Sequence, residues 1–428
     1  MRFALVNPPW SFDGSIYFGC RDPHLPLEFG YAKAILEEAG HDAAVIDGQL
    51  EGLGLAEIRA RVERFKPDFT VVTTTPSYLF WRCAPPELRV PQLTIEAVRA
   101  VGGTLVGIGP HSSTTPRAAL NKLKADVVVC GEAEEILPLL TQPWKTVPSI
   151  CYRSGGEVVV TGGPHASDMQ KLPGLEWPDH YVNAHAHHHH RFDAPPMGPG
   201  AEVEASRGCP YHCTFCAKDN FRNKYRRRPL EPVLREIDCL IAQGVEYIYL
   251  IDEIFLPQKD LLAALAERPV KIGVQTRIDL WPEEMIEMLA AAHCVSIEAG
   301  VESITESGRD YLDKKCKMST DDLSSRLIFA KKRIPFVQAN LIATGHDDEQ
   351  EVENWRQHLA DHGVWANKPV PLFPYPGSPD YTRLWGVPDD LAWERAHDYY
   401  LHGYSSFSDI QNQRPAALTQ LELPRHGA

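Results

Sequence analysis

Along the first 150 residues, short apolar runs alternate with segments whose apolar positions recur at helical spacing. The runs at 3–6, 43–46, 69–73, 104–108 and 126–129 are aliphatic or β-branched without polar alternation, a pattern that predicts strands covered on both faces. Helices are predicted at 28–39, 55–65, 92–101, 116–124 and 132–140, the first closed by Gly40 just past its C-terminus. Strands alternating with helices require right-handed crossovers, so residues 1–150 are expected to form a doubly wound, parallel, Rossmann-like sheet. Ligands of such a sheet bind beyond the carboxyl ends of its strands. Those ends read Asn7-Pro8-Pro9, Asp47-Gly48, Thr74 to Tyr78, Gly109 to Ser112 and Gly131-Glu132. Each alone is an ordinary turn; five in register mark a binding edge.

Residues 151–200 read as a connector. A hairpin of 151–153 and 158–161 around Ser154-Gly155-Gly156 precedes a Pro-rich, aromatic stretch with histidines at 185, 187, 188, 189 and 190. Two readings of that run stay open: a solvated linker, or a contact for metal, phosphate or substrate. From 201 to about 385 the alternation resumes, with strands predicted at 202–205, 246–251, 271–275, 295–298, 337–342 and 370–373. Helices are predicted at 231–242, 260–267, 283–291, 320–330 and 349–361. Six such repeats are too few for a closed eight-fold barrel, which leaves an open, partial (β/α)6 barrel. The tail, 386–428, carries one predicted helix at 391–401.

Bulk properties narrow the setting. A chain of 428 residues exceeds one ordinary core, in keeping with two domains. No apolar run reaches membrane-spanning length, mean hydropathy is −0.28, and the start MRFALVNPPW turns polar too early for a signal peptide. A cytoplasmic protein is expected. The formal charge of −14 would repel a phosphate backbone, which argues against polymeric nucleic acid as a partner. One basic strip, RNKYRRR at 222–228, lies beside the cysteine motif and is read as part of that site.

Cysteine spacing changes the picture most. Cys20, Cys83, Cys130, Cys151, Cys239, Cys294 and Cys316 are scattered and read as small buried hydrophobes. Cys209, Cys213 and Cys216 crowd into ASRGCPYHCTFC, directly after the first predicted barrel strand. Zinc favours paired C-x2-C units and a fourth ligand, and the chain has no matching second pair. Three thiolates in eight residues instead suit a cubane iron–sulfur cluster held at three irons. A buried stripe on one helix face is the competing reading of offsets four and seven. Gly208 and Pro210 oppose that helix, and strand-to-loop turns are where barrel enzymes keep their chemistry.

The C-x3-C-x-aromatic-C motif after a barrel's first strand resembles the radical S-adenosylmethionine (SAM) superfamily. With RFALVNPP, GIGPHSS and CGEAEE, the chain is similar to that superfamily's cobalamin-binding-domain branch from Met1 to about Trp385, and to a subgroup found beside oligosaccharide-biosynthesis genes. The resemblance implies a 4Fe–4S cluster on Cys209, Cys213 and Cys216, with its open iron gripping the amino and carboxylate groups of SAM. Phe215 would pack near the adenine. Asp252, Glu253, Gln275, Arg277, Glu298, Glu302 and Gln338, at strand ends, would line the SAM site, with Asn340 a further candidate; the carboxylates among them also read as salt-bridged structural groups. The turn from Pro374 to Pro379 resembles the family's PYPGTP. No D-x-H-x-x-G motif offers a histidine to cobalt, and His41 stands in the wrong context. The branch named lacks that ligand, and its loop after the third strand covers the lower face of cobalamin. Here that loop spans 76–82, with Ser77, Tyr78 and Trp81 as cobalamin contacts; sealing of the domain interface is the competing role. Gly109, His111, Gly131 and Glu132 would hold the nucleotide tail.

The resemblance further implies reductive cleavage of SAM to a 5′-deoxyadenosyl radical, hydrogen abstraction from an unactivated carbon, and C-methylation through methylated cobalamin. An electron donor such as flavodoxin or ferredoxin is implied as partner. Arg226, Arg227 and Arg228 suggest phosphate contacts of a sugar or nucleotide-sugar substrate. Two alternatives stay open: a non-methylating rearrangement, oxidation or cyclisation, and a cluster- or cobalamin-binding sensor without turnover.

Overall fold

The structure is a computed structural model that describes residues 1–17, 22–77, 84–185, 199–218, 222–404 and 415–423. Its first sheet has seven strands: β1 (Arg2–Asn7), β2 (Asp42–Asp47), β3 (Phe69–Thr73), β4 (Thr104–Ile108), β5 (Val127–Val129), β6 (Ile150–Ser154) and β7 (Glu157–Val160), in the order β2-β1-β3-β4-β5-β6-β7. Strands β1 to β5 run parallel. Alternate side chains fill two cores, Phe3, Leu5, Val71 and Val106 on one face and Ala4, Val6, Val72 and Leu105 on the other. Burial on both faces explains the unbroken apolar runs. The hairpin β6–β7 pairs antiparallel with β5 and extends this sheet, where the sequence suggested a connector.

Two local expectations need correction. Residues 132–140 form no α-helix; only a 3-10 turn, Leu137–Thr141, is present. Gly131 adopts φ 89, Glu132 N–H donates to the His165 carbonyl at 2.9 Å, and Ser167 N–H donates to the Glu132 carboxylate at 2.6 Å. Those pairings take up the groups that would have opened a helix. An unexpected short helix, Pro110–Thr114, follows Gly109, with Pro110 at the first helical position, where its missing N–H is harmless.

The second sheet is an open parallel barrel. Its strands are β8 (Gly200–Val203), β11 (Tyr247–Leu250), β12 (Lys271–Thr276), β13 (Cys294–Glu302), β14 (Phe336–Ala343) and β15 (Trp365–Ala366), paired in that order, with β16 (Val370–Pro371) beside the end of β14. A small antiparallel ribbon, β9 (Ser206–Arg207) with β10 (Arg226–Arg227), flanks the first strand. The sixth strand is split because Asn367 replaces a backbone rung. Its side chain accepts from Leu341 N–H at 2.7 Å and donates to the Leu341 carbonyl at 3.1 Å. Ala201, Val203, Ile248, Leu250, Ile272, Val274, Ile297 and Val337 pack into one core with helix residues Ile237, Leu240, Leu289, Leu327 and Leu359. The alternation of side chains along a strand then turns Glu202, Glu204, Gln275, Glu298, Gln338 and Asn340 to the barrel interior. The same core includes Leu25, Leu27, Tyr31 and Leu50 from the N-terminal half. No helix among the described residues is long and apolar enough to cross a membrane.

A buried ionic cluster joins the halves. Arg207 pairs with Glu134 at 2.7 Å, Glu132 at 3.3 Å and Glu204 at 2.8 Å, and none of the four side chains is more than 2% exposed. Removing one partner of a buried ion group strands the others and costs about 3–5 kcal/mol. Arg207→Ala is therefore expected to lower the unfolding free energy in a urea titration by about that amount.

Candidate functional site

Strand β8 delivers the chain to the carboxyl end of the barrel, where the cysteine loop begins. Gly208 turns it with φ 80, and a Cβ there would strike the Lys224 carbonyl, so glycine is required. Several bonds fix the loop. Gly208 N–H donates to Glu253 at 2.7 Å, and Thr214 N–H donates to the Leu312 carbonyl at 2.9 Å. The Thr214 carbonyl accepts from Asp380 N–H at 2.8 Å, while its hydroxyl donates to the Asp380 carboxylate at 3.1 Å. Tyr211 lies under the Arg277 guanidinium, 4.2 Å from the ring centroid.

Cys209, Cys213 and Cys216 are free and half-exposed as residues. Their thiols lie close enough for charge on one to disfavour charge on the next. Burial pushes the Cys216 thiol up to about 12 and raises Cys209 and Cys213 as well. Lys218 faces Cys209, and Lys314 and Arg277 face Cys213. Among the described residues, no group of three or more His, Cys, Asp and Glu side chains converges as a single metal ion requires. A cubane does not ask for that convergence, because each thiolate takes a different iron. Glu253, Glu302 and Asp313 also stand near these thiols; three neighbouring thiols with Lys218, Lys314 and Arg277 beside them fit such an anionic cluster.

The strand-end candidates divide into engaged and open groups. Asp252 is fully buried, accepting from Ala205 N–H at 2.8 Å and from the Ser206 hydroxyl. Glu253 accepts from Gly208 N–H and from Arg222 at 2.9 Å. Arg277 forks onto Asp279 at 3.1 and 2.7 Å, and its buried Nη1 has no partner. Glu302 takes a left-handed φ of 72 at a register shift in β13 and lies 3.4 Å from the Lys314 amine. Bulges and left-handed non-glycine residues gather at functional sites. Gln338 donates to Asn340 at 2.5 Å. Gln275, Glu298 and Phe215 are half-buried.

The basic strip needs the largest correction. Arg226 binds Glu132 with both terminal nitrogens, at 3.0 and 2.6 Å, and donates to the Ser167 carbonyl. Arg227 pairs with Asp260 at 2.8 Å on the outer surface. Arg228 is buried and bonds Glu236 at 2.9 Å, Tyr31 at 2.8 Å and the Glu204 carbonyl at 2.7 Å. These guanidinium forks serve carboxylates of the chain itself, so the phosphate reading of the strip is withdrawn. Arg222, the first residue of the strip, joins this network, whose partners Glu134, Glu204 and Arg207 were not singled out from sequence. The signal available was charge balance: three arginines in the folded interior demand carboxylates.

At the edge of the first sheet, Ser77 is buried and its hydroxyl bonds Glu28. Tyr78 and Trp81 lie outside the described residues. Gly109 has φ 122 and Gly131 φ 89, and Ser113 accepts the Gly131 N–H at 2.8 Å. The His111 ring stacks on Trp393 at 4.1 Å, 1% exposed, and burial lowers it to about 3. It is a neutral ring whose Nδ1 and Nε2 are both buried without a hydrogen-bond partner. Glu132 is taken up by Arg207, Arg222 and Arg226. Beside His111 the edge presents Glu28 Oε1, Thr74 Oγ1, Thr75 Oγ1 and Ser112 Oγ, all likewise buried without a hydrogen-bond partner. Buried polar atoms rarely stay orphaned, and a ligand rich in amides would satisfy them. In the connector, His185 bonds the fully buried Glu202 at 2.6 Å, which anchors the start of the histidine run inside the fold; positions 187–190 lie outside the described residues.

A three-thiol loop behind the first strand of an open parallel barrel defines a radical SAM domain. Residues 203–359 match the radical SAM superfamily. Over 402 residues it is 25% identical to an uncharacterized methyltransferase of Pyrococcus horikoshii, covering 90% of this chain and 82% of the relative. Over 414 residues it is 24% identical to the anaerobic magnesium-protoporphyrin IX monomethyl ester cyclase of Cereibacter sphaeroides, covering 87% of this chain and 63% of that protein. Among solved structures, its fold is similar to that of the radical SAM methyltransferase TsrM from Kitasatospora setae, solved with cobalamin and a 4Fe–4S cluster bound. The TM-score is 0.71 at 17% identity, over 89% of this chain and 76% of that one.

Asp252 supplies a pH test. Burial, against the pull of Ser206 and Ala205, raises its carboxyl to about 7. A carboxyl raised on folding contributes stability that is present below its unfolded value and lost as pH rises through the folded one. Asp252→Asn keeps an acceptor for the Ala205 N–H and removes the titration. The variant is expected to lose less melting temperature than the parent between pH about 4 and 7.

Proposed function

We propose that this protein is a cobalamin-dependent radical SAM enzyme that transfers a methyl group to an unactivated carbon of a small molecule. The observation that carries the reading is the loop of three facing thiols, Cys209, Cys213 and Cys216, braced by Glu253, Arg277 and Asp380 at the carboxyl end of the barrel. The methyltransferase names of two of its relatives support methyl transfer. When bound, the cluster, SAM and cobalamin supply the electron, the radical and the methyl group, and the protein supplies position and a dry cavity.

This chain's residues have definite tasks in that reading. The three cysteines hold iron, and Lys218, Lys314 and Arg277 offset the charge that gathers there. The orphaned Arg277 Nη1 offers a donor to the SAM carboxylate. Glu302, at the register shift of β13, and Lys314, paired with it, both act on the Cys213 thiol. Gln275, Glu298, Gln338 and Asn340 line the barrel interior for SAM and substrate. Glu28, Thr74, Thr75 and Ser112 meet the amide and nucleotide arms of cobalamin. Ser77 orients Glu28 for that contact, and Asp252 fixes the first two strands against each other. Electrons come from a small donor such as flavodoxin or ferredoxin. With Arg226 and Arg228 engaged by the chain's own groups and Arg227 paired with Asp260 on the outer surface, a sugar would be read through neutral hydrogen bonds.

Anaerobically purified protein is expected to contain iron, sulfide and corrin together. The triple variant C209A/C213A/C216A should lose the iron and retain the corrin; iron kept at the parent level would overturn the reading. With SAM, reductant and substrate, methyl transfer yields S-adenosylhomocysteine alongside 5′-deoxyadenosine, both measured by mass spectrometry. A second reading, cyclisation without methyl transfer, is favoured by the likeness to the cyclase of Cereibacter sphaeroides, and it predicts 5′-deoxyadenosine alone.

A further inference from the structure

Arg222 stands between two turns that have no slack. On one side, its Nε lies 3.2 Å from Glu132 Oε1. Glu132 follows Gly131, whose φ of 89 and close approach to the His165 backbone permit no side chain. Gly131 N–H is in turn held by Ser113, on the short helix beside the orphaned Ser112. On the other side, Arg222 Nη1 reaches Glu253 at 2.9 Å and Glu204 at 3.0 Å. Glu253 uses its second oxygen to accept the N–H of Gly208, the residue before Cys209. The backbone of residues 222 and 224 also packs against Gly208 so closely that a Cβ there would collide. Arg222 is 1% exposed and Glu132 0%, so water does not screen these contacts.

We propose that Arg222 is a positioning residue for the cysteine loop: together with Glu132 and Glu253 it ties the ligand edge of the N-terminal sheet to the N–H of Gly208, so that the two cofactor sites share one geometry. This rests on the cluster reading above. Because both terminal turns are locked glycines, a shift at the Gly131–Glu132 turn is passed to Gly208 through one planar fork and two carboxylates, with little freedom to dissipate it. A fork of fixed geometry suits this task; a lysine at the same place would keep the charge and lose the second contact. The three residues should therefore behave as a unit.

The test uses reconstituted holoenzyme bearing E132Q, E253Q, the double change E132Q/E253Q, and R222K. Glutamine keeps shape and an acceptor and removes charge; iron content and melting curves identify the variants that hold the fold, and R222K, which keeps the charge, carries the test where a glutamine variant does not fold. The measurements are the electron paramagnetic resonance signal of the reduced cluster with and without SAM, and kcat and KM for 5′-deoxyadenosine formation. The expected result is an altered signal and a five- to tenfold fall in kcat for each single variant, at a KM for SAM within twofold of the parent. The double variant should fall no further than the worse single one, because members of one unit are not additive. Parent-like signal and kcat in variants that hold iron, or losses that multiply in the double variant, would overturn the proposal while leaving the cluster reading intact. Parent protein that binds no iron would overturn the cluster reading itself.

Discussion

Arg207 and Arg222 sit in the interior where Glu132 and Glu134 of the N-terminal half meet Glu204 and Glu253 of the barrel. A lone buried guanidinium is costly enough that a fold seldom contains one without compensation. Each arginine here is therefore met by carboxylates arriving from different segments, and the condition is met only when both sheets are docked. Burial alone would raise the Glu132 carboxyl, yet Arg222 and Arg207 bring it down to about 2. The pairing is ionic at any working pH. Its position decides the rest: the cluster adjoins Gly208 on one side and Gly131 on the other. The cysteine loop inherits its place from the docking of the two halves rather than from the barrel alone.

Hydrophobic packing could not have supplied this by itself. One continuous core links Leu25, Leu27 and Tyr31 to the helix-facing side of the barrel, which fixes that the halves associate. Area burial is non-directional, so it leaves the register between the halves loose. The arginine forks add the direction. Arg228 makes the same point on a smaller scale, bonding Tyr31 of one half and Glu236 of the other from a side chain that is fully buried.

This division explains what could be read from the chain. Strands β3 and β4 and the helices Leu55–Phe65, Glu283–Ala291 and Glu349–Asp361 lie where periodicity places them, because burial on a fixed face leaves a fixed period. The cysteine motif was legible because three thiols at short spacing, broken by Gly208 and Pro210, have few structural uses. The segment after β5 was misread: the period at 132–140 suits a helix, but Gly131 and the pairing with His165 divert the backbone. The roles of Arg226–Arg228 were misread for a related reason. A run of arginines says that anions are near, and it does not say whether those anions are phosphates or the chain's own glutamates, which arrive from 94 residues away in the case of Glu132.

A cation beside a buried carboxylate opposes the rise that burial causes, and one arginine is not always enough: Glu236 bonds Arg228 and is still raised. Glu28, Asp47 and Asp252 have none within the first rank of influences, and burial raises all three to about 7; Glu132 has three arginines and goes the other way. Two of the raised groups, Glu28 and Asp47, lie at the ligand edge of the first sheet, close to orphaned hydroxyls. A protonated carboxyl there is a neutral hydrogen-bond donor, which matches uncharged amide arms better than an ionised one would. Buried charge is thus kept between the halves, and the carboxyls at this edge are raised toward neutrality, although the chain as a whole is acidic. Burial sets the baseline in both places, and the three arginines around Glu132 overcome it.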